Sequence, residues 1–205
     1  MQIIFDFDGV IINSHKIKTK AFYEIFKSYG KKIATKARKF HENNIGKSRY
    51  FKFKFILKNI LNKKITKKEL LRLDQNFDAF VQKKIRKMIP SKNLMKFLKL
   101  QKKYHNFYIS TGTPQSKIVN ILKEKKLFSF FKKIYGSPRS KVEHIKEIKK
   151  KNTNIVFIGD SLEDFKASVE TNIDFILKLN SENILFRKKI NVRTIQSFKY
   201  LKKYI

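Results

Sequence analysis

Asp6-Phe7-Asp8-Gly9 sets two carboxylates around one aromatic side chain at the point where an apolar run breaks off. The preceding Gln2-Ile3-Ile4-Phe5 is short and β-branched, the composition of a strand buried on both faces of a parallel sheet. In open α/β sheets the ligand crevice lies beyond the carboxyl ends of the strands, so acids emerging there stand where a substrate binds. If the chain stays extended, Asp6 and Asp8 face the same side, because side chains alternate along a strand. Two carboxylates this close repel unless a cation or a shared proton offsets the charge. The pair points either to a Mg²⁺ site or to an acid/base pair with split pKa values. A solvated turn is the competing reading, since Asp and Gly are turn formers.

Two later strands also end on polar groups. Phe107-Tyr108-Ile109 runs into Ser110-Thr111-Gly112-Thr113-Pro114, and Ile155-Val156-Phe157-Ile158 runs into Gly159-Asp160-Ser161-Leu162-Glu163-Asp164. Between them the periodicity predicts a helix over 115–126, a weak strand over 130–136, and a helix that begins at Ser140-Lys141 and extends to about Lys151. Alternating strands and helices imply a parallel sheet. The stretch 16–88 reads differently, as helix throughout. Ala21-Phe22, Ile25-Phe26 and Tyr29 recur at helical spacing before Gly30, a second helix is expected over 34–43, and a third over 50–61. A fourth follows Thr66, where Thr66-x-x-Glu69 has the form of a capping box, and runs through Leu73, Phe77, Val81 and Ile85. These aromatic stripes read as helix core. A further helix is expected from Ser91 towards Asn106.

The chain has 205 residues, enough for one large domain or a core domain with a smaller insert, and its 41% hydrophobic content argues against disorder. It contains no apolar run of about 18 residues or more, so no membrane span or membrane partner is expected. Met1 passes directly into a strand without a leader pattern, and a cytoplasmic location is expected. The absence of cysteine excludes disulfides, thiolate metal sites and thiol nucleophiles, and 4 His make a zinc site improbable. The net charge of +33 attracts polyanions. Its lysines are spread along the chain as groups such as Lys31-Lys32, Lys63-Lys64 and Lys149-Lys150-Lys151, without a helix-turn-helix, zinc-finger or aromatic RNA-binding signature. Lys, Ile, Phe, Asn and Tyr, all with AT-rich codons, are abundant together. Solvated lysine faces are therefore favoured over a nucleic-acid surface.

Taken together, these motifs make the chain resemble the haloacid dehalogenase superfamily of phosphohydrolases, over nearly its whole length. Asp6-Phe7-Asp8-Gly9-Val10 matches the first motif of that superfamily, Ser110 the second, Lys141 the third, and Gly159-Asp160-x-x-x-Asp164 the fourth. The resemblance implies an α/β fold, a doubly wound, Rossmann-like parallel sheet over 1–15 and 89–205, with a small all-helical cap of the C1 type over 16–88. It is closest in kind to the phosphatase branch, similar to phosphoglycolate phosphatase and β-phosphoglucomutase.

The resemblance also implies roles. Asp6 would be the nucleophile and Asp8 the acid/base, Ser110 would hydrogen-bond a phosphate oxygen together with Thr111 and Gly112, and Lys141 would supply positive charge. Mg²⁺ would be held by Asp6, the Asp8 backbone carbonyl and Asp160, with Asp164 supporting the shell. Ser110 is preferred to Thr111 as the hydroxyl that counts, because it directly follows the apolar run. An acid at Asp8, two residues after the nucleophile, disfavours carbon–halogen cleavage.

In the cap, Arg49 offers a planar fork for a carboxylate or second phosphate of the substrate, and Lys47 or Lys52 could do similar work. The expected activity is Mg²⁺-dependent removal of phosphate from a small phosphorylated metabolite, by a monomer or homodimer. A phosphosugar mutase is the alternative within the superfamily. A basic nucleic-acid-binding protein on the same fold is the alternative outside catalysis.

Overall fold

The computed structural model describes residues 1–150 and 153–205, so the expected helix end at Lys151 lies outside the described residues. The chain divides into two units, one made of Met1–Asn13 and Ile89–Ile205 and the other of Ser14–Met88. In chain order, β1 (Gln2–Phe5) is followed by α1 (His15–Phe26), α2 (Lys31–Glu42), α3 (Arg49–Phe55) and α4 (Lys67–Lys87). The first unit then resumes with α5 (Lys92–Gln101), β2 (Asn106–Pro114), α6 (Gln115–Glu124), β3 (Phe131–Ser137), α7 (Lys141–Lys149) and β4 (Ile155–Gly159). It ends with α8 (Leu162–Thr171), β5 (Asp174–Lys178), α9 (Ile184–Arg187) and β6 (Arg193–Ile195).

The six strands form one sheet in the order β3-β2-β1-β4-β5-β6, with every pairing parallel. β1 is central because both of its faces are apolar: Ile3, Ile4 and Phe5 are fully buried. The winding reverses between β1 and β4, and such a switch point opens a crevice at the carboxyl ends of the strands. β5 and β6 lie beyond Asp164, in a stretch to which sequence alone assigned no element.

Helix starts in the sheet unit carry their own signals. α7 begins with a full capping box: the Glu143 N–H donates to Ser140 Oγ at 3.2 Å, and the Ser140 N–H donates to Glu143 Oε2 at 2.7 Å. α8 begins the same way, with Ser161 and Asp164 as the two partners.

The helical unit packs Phe22, Phe26, Phe53 and Phe77 against one another, with Phe22 and Phe77 edge-on at 5.4 Å. Buried Leu73, Phe77, Val81 and Ile85 recur every four residues along α4. The expected capping box at Thr66 forms only in half. Thr66 Oγ1 accepts the Glu69 N–H at 3.1 Å, but the Glu69 carboxylate is taken by Arg72 and by the Tyr29 hydroxyl, so the reciprocal bond is not made. The third expected helix also changes character, continuing from α3 as a π-turn over Ile56–Ile60.

Candidate active site

The carboxyl end of β1 delivers Asp6 into the crevice. Its backbone N–H still donates to the Ile158 carbonyl of β4 at 2.9 Å, so the residue is registered by the sheet. Beyond it Gly9 adopts a φ of 81°, a left-handed conformation that favours glycine, and the chain folds back so that the Gly9 N–H donates to the Ile12 carbonyl at 2.7 Å. Asp6 is buried, and the Phe7 N–H donates to its Oδ1 at 2.6 Å.

Lys141, the first residue of α7, places its ammonium between two of the acids. Nζ lies 2.9 Å from Asp6 Oδ2 and is in direct contact with Asp164 Oδ1. Burial alone would lower the Lys141 pKa, but Asp164 and Asp6 outweigh it and push it up, so the group stays charged. Asp164 is itself tightly held. Its Oδ2 accepts the Asp160 N–H at 3.2 Å, the Ser161 N–H at 3.0 Å and the Ser161 hydroxyl at 2.6 Å. This close approach explains Gly159, where a Cβ would collide with the Asp164 side chain.

Asp6, Asp160 and Asp164 each offer an oxygen within 4.8 Å of the others. Burial pushes the Asp6 carboxyl up to about 7; Asp164, Asp160 and Asp8 push the same way, and Lys141 pulls against them. Three buried carboxylates facing one lysine leave an excess of negative charge, and an all-oxygen donor set is what a hard divalent cation such as Mg²⁺ takes. The residues therefore fit that ion.

β2 brings up the hydroxyl-bearing segment. Ser110 is fully buried, and its Oγ lies 2.9 Å from His144 Nδ1. Thr111, also buried, turns its Oγ1 to the Thr113 N–H at 3.2 Å, a local bond that secures the loop leading through Gly112. The Thr113 hydroxyl donates to Asp8 Oδ2 at 3.1 Å. Asp8, unlike Asp6, is only partly buried.

Of the expected site residues, Asp6, Asp160, Asp164 and Lys141 share one cluster, with Asp8 and Ser110 on the adjoining strand ends. Arg49 lies in the helical unit, where Nη1 is 2.6 Å from Asp78 Oδ1 and Nε 2.7 Å from Asp74 Oδ1. Its Nη1 and Nε are taken by two carboxylates one turn apart on α4, because a buried guanidinium requires compensating charge. Lys52 is likewise buried and donates to His41 Nδ1 at 3.1 Å, while Lys47 sits 4.7 Å over the Phe51 ring.

Sequence reasoning missed four residues around the cluster. Thr113 and His144 bond the acid/base and phosphate-binding candidates. Asn180 donates to Asp160 Oδ2 at 2.6 Å, and Asn183 donates to the Asp160 carbonyl at 2.9 Å while its Oδ1 accepts the Asn180 N–H at 3.0 Å. Thr113 belongs to the polar run Ser110-Thr111-Gly112-Thr113 at the end of β2, a signal the sequence carries; the asparagines follow β5, a stretch without a recognisable motif.

Several solved structures share this architecture. A hydrolase from Pseudomonas syringae superposes with a TM-score of 0.78 at 18% identity, covering 99% of this chain and 96% of that one. A predicted phosphoglycolate phosphatase from Haemophilus somnus gives 0.75 at 16% identity, covering 98% and 96%. YfnB of Bacillus subtilis, bound to magnesium, gives 0.70 at 16% identity with the same coverage. At these identities the likeness speaks for the fold. Among curated protein sequences none matches. The model of the haloacid dehalogenase-like hydrolases matches residues 3–178, most of the sheet unit and all of the helical insert, and the chain belongs to that family.

Proposed function

We propose that the protein is a Mg²⁺-dependent phosphohydrolase that removes phosphate from a small phosphorylated metabolite through an aspartyl-phosphate. The observation that carries this reading is the placement of Asp6 against Lys141 within the buried cluster of Asp6, Asp160 and Asp164. Phosphoryl transfer asks for an in-line nucleophile, neutralised phosphate oxygens and an acid for the leaving group, and the strand ends offer a group for each.

In the proposed first half-reaction a carboxylate oxygen of Asp6 attacks phosphorus, and the bond from phosphorus to the substrate oxygen breaks. Asp8, oriented by the Thr113 hydroxyl at 3.1 Å, gives its proton to the departing alcohol. In the second half-reaction Asp8 takes a proton from water as the water oxygen attacks phosphorus, releasing inorganic phosphate and restoring the Asp6 carboxylate. Lys141 offsets charge on the phosphate oxygens, and Ser110 donates a hydrogen bond to one of them. The bound cation would supply Lewis-acid neutralisation of the same oxygens, held by Asp6, the Asp8 backbone carbonyl and Asp160 with Asp164 beside them. The helical unit would serve as the cap that excludes water during turnover.

The test is hydrolysis of p-nitrophenyl phosphate with Mg²⁺, expected for the wild type and lost in Asp6→Asn. Inactivity of the wild type towards a panel of phosphate esters would overturn the reading. Isomerisation of a sugar phosphate with little phosphate release would convert it to a mutase.

A further inference from the structure

His144 has no part in the chemistry above, yet it is fully buried and sits one helical turn after Lys141, so α7 carries both groups towards the site. Its ring plane is set from outside. It stacks on Tyr135 with centroids 5.2 Å apart and planes 21° from parallel. The Tyr135 hydroxyl donates to Glu147 Oε1 at 3.0 Å, and Glu147 also takes Lys133 at 2.7 Å and Arg139 at 2.6 Å. Burial pushes the His144 imidazole down to about 4, aided by the charges of Arg139 and Lys141 and opposed by the Gly136 carbonyl. At neutral pH the ring is uncharged and carries one N–H.

Where that proton sits decides what Ser110 can do. Nδ1 faces Ser110 Oγ at 2.9 Å. With the proton on Nε2, Nδ1 would take the single hydroxyl proton of Ser110. The serine would then turn only lone pairs towards an anionic phosphate. With the proton on Nδ1, the imidazole donates to Ser110 Oγ and the hydroxyl proton stays available for a phosphate oxygen.

We propose that His144 is a positioning residue for phosphate recognition, donating from Nδ1–H to Ser110 Oγ and so committing the Ser110 hydroxyl to donate to a phosphate oxygen. This rests on the phosphohydrolase reading, which asks the Ser110 hydroxyl to donate to phosphate.

Two measurements test it. In ¹⁵N-histidine-labelled protein at pH 7, with the signal among the 4 His identified by its loss in His144→Asn, the imidazole shifts should show a protonated Nδ1 and a bare Nε2. The reverse tautomer, or an imidazolium, would overturn the proposal. In hydrolysis of p-nitrophenyl phosphate, His144→Leu should raise KM about tenfold, the scale of one lost hydrogen bond. His144→Asn, whose amide can donate from the same place, should recover to within about threefold. In a Ser110→Ala background His144→Leu should add nothing. Equal effects of Leu and Asn, or an undiminished effect in the Ser110→Ala background, would also overturn it. An inactive wild type would overturn the phosphohydrolase reading and the kinetic role together, while the nitrogen shifts would still decide the tautomer.

Discussion

Lys141 Nζ lies 2.9 Å from Asp6 Oδ2 with both side chains almost wholly out of water. Neither group tolerates the loss of the other, because an unpaired charge in this interior has no solvent to turn to. Lys141→Met should lower the stability of the metal-free protein by about 3–5 kcal/mol and reduce kcat/KM by about 100-fold or more, with Lys141→Arg retaining most of the stability. Urea unfolding followed by circular dichroism, with aryl phosphate kinetics alongside, checks both. A stability loss below about 1 kcal/mol would mean that the pair is not what holds the cluster together.

Asn180 donates a 2.6 Å bond to Asp160 Oδ2, the cluster acid beside which it sits. Asn180→Leu should therefore weaken Mg²⁺ binding by about 10–100-fold with little change in the fold. The readout is the Mg²⁺ concentration that half-maximally raises the thermal midpoint. An unchanged midpoint curve would assign Asn180 to loop structure alone.

Thr113 acts on Asp8, its hydroxyl donating to Oδ2 at 3.1 Å. Thr113→Val should lower kcat about tenfold while inhibition by orthovanadate stays within about twofold, because the phosphate-binding groups are intact. A parallel loss of vanadate affinity would show that the loop, not the acid, had been disturbed.

His144 ties stability to pH. Its pKa falls from 6.5 in the unfolded chain to about 4 in the fold, chiefly through burial. The stabilisation is fully present above pH 6.5 and is lost as pH falls towards 4, on the order of 3 kcal/mol. His41 is lowered in the same direction and shares the sign. Unfolding free energies between pH 7.5 and pH 4 should fall in the wild type and fall less steeply in His144→Asn. Parallel curves would rule out the linkage.

Arg49 belongs to the architecture of the helical unit. Arg49→Met leaves the buried Asp74 and the partly buried Asp78 without this cation and should destabilise that unit by about 3–5 kcal/mol. Restoring stability by adding Asp74→Asn and Asp78→Asn would identify the pairing as the cause. A triple variant as unstable as the single one would point to lost packing instead.

The parts that sequence alone determined are those where local chemistry has one outlet. A β-branched run ending in Asp6-Phe7-Asp8-Gly9 has few stable solutions other than a buried strand that breaks at its carboxyl end, and Ser161 with Asp164 announces a helix start wherever it falls. The helical insert was legible from its periodicity for the same reason. Tertiary structure decided what depends on neighbours distant in sequence: that Lys141 would bridge Asp6 and Asp164, that His144 would meet Ser110 across 34 positions, and that Asn180 would reach Asp160 from a strand end with no recognised pattern. It also chose the partners of two charged groups. Arg49 and Glu69 each carry a charge whose best partner is set by what helix packing brings close, Asp74 and Asp78 for the first, Arg72 and Tyr29 for the second. A side chain's charge is written in the sequence, but the partner that satisfies it is chosen by burial and proximity, which exist only once the chain has folded.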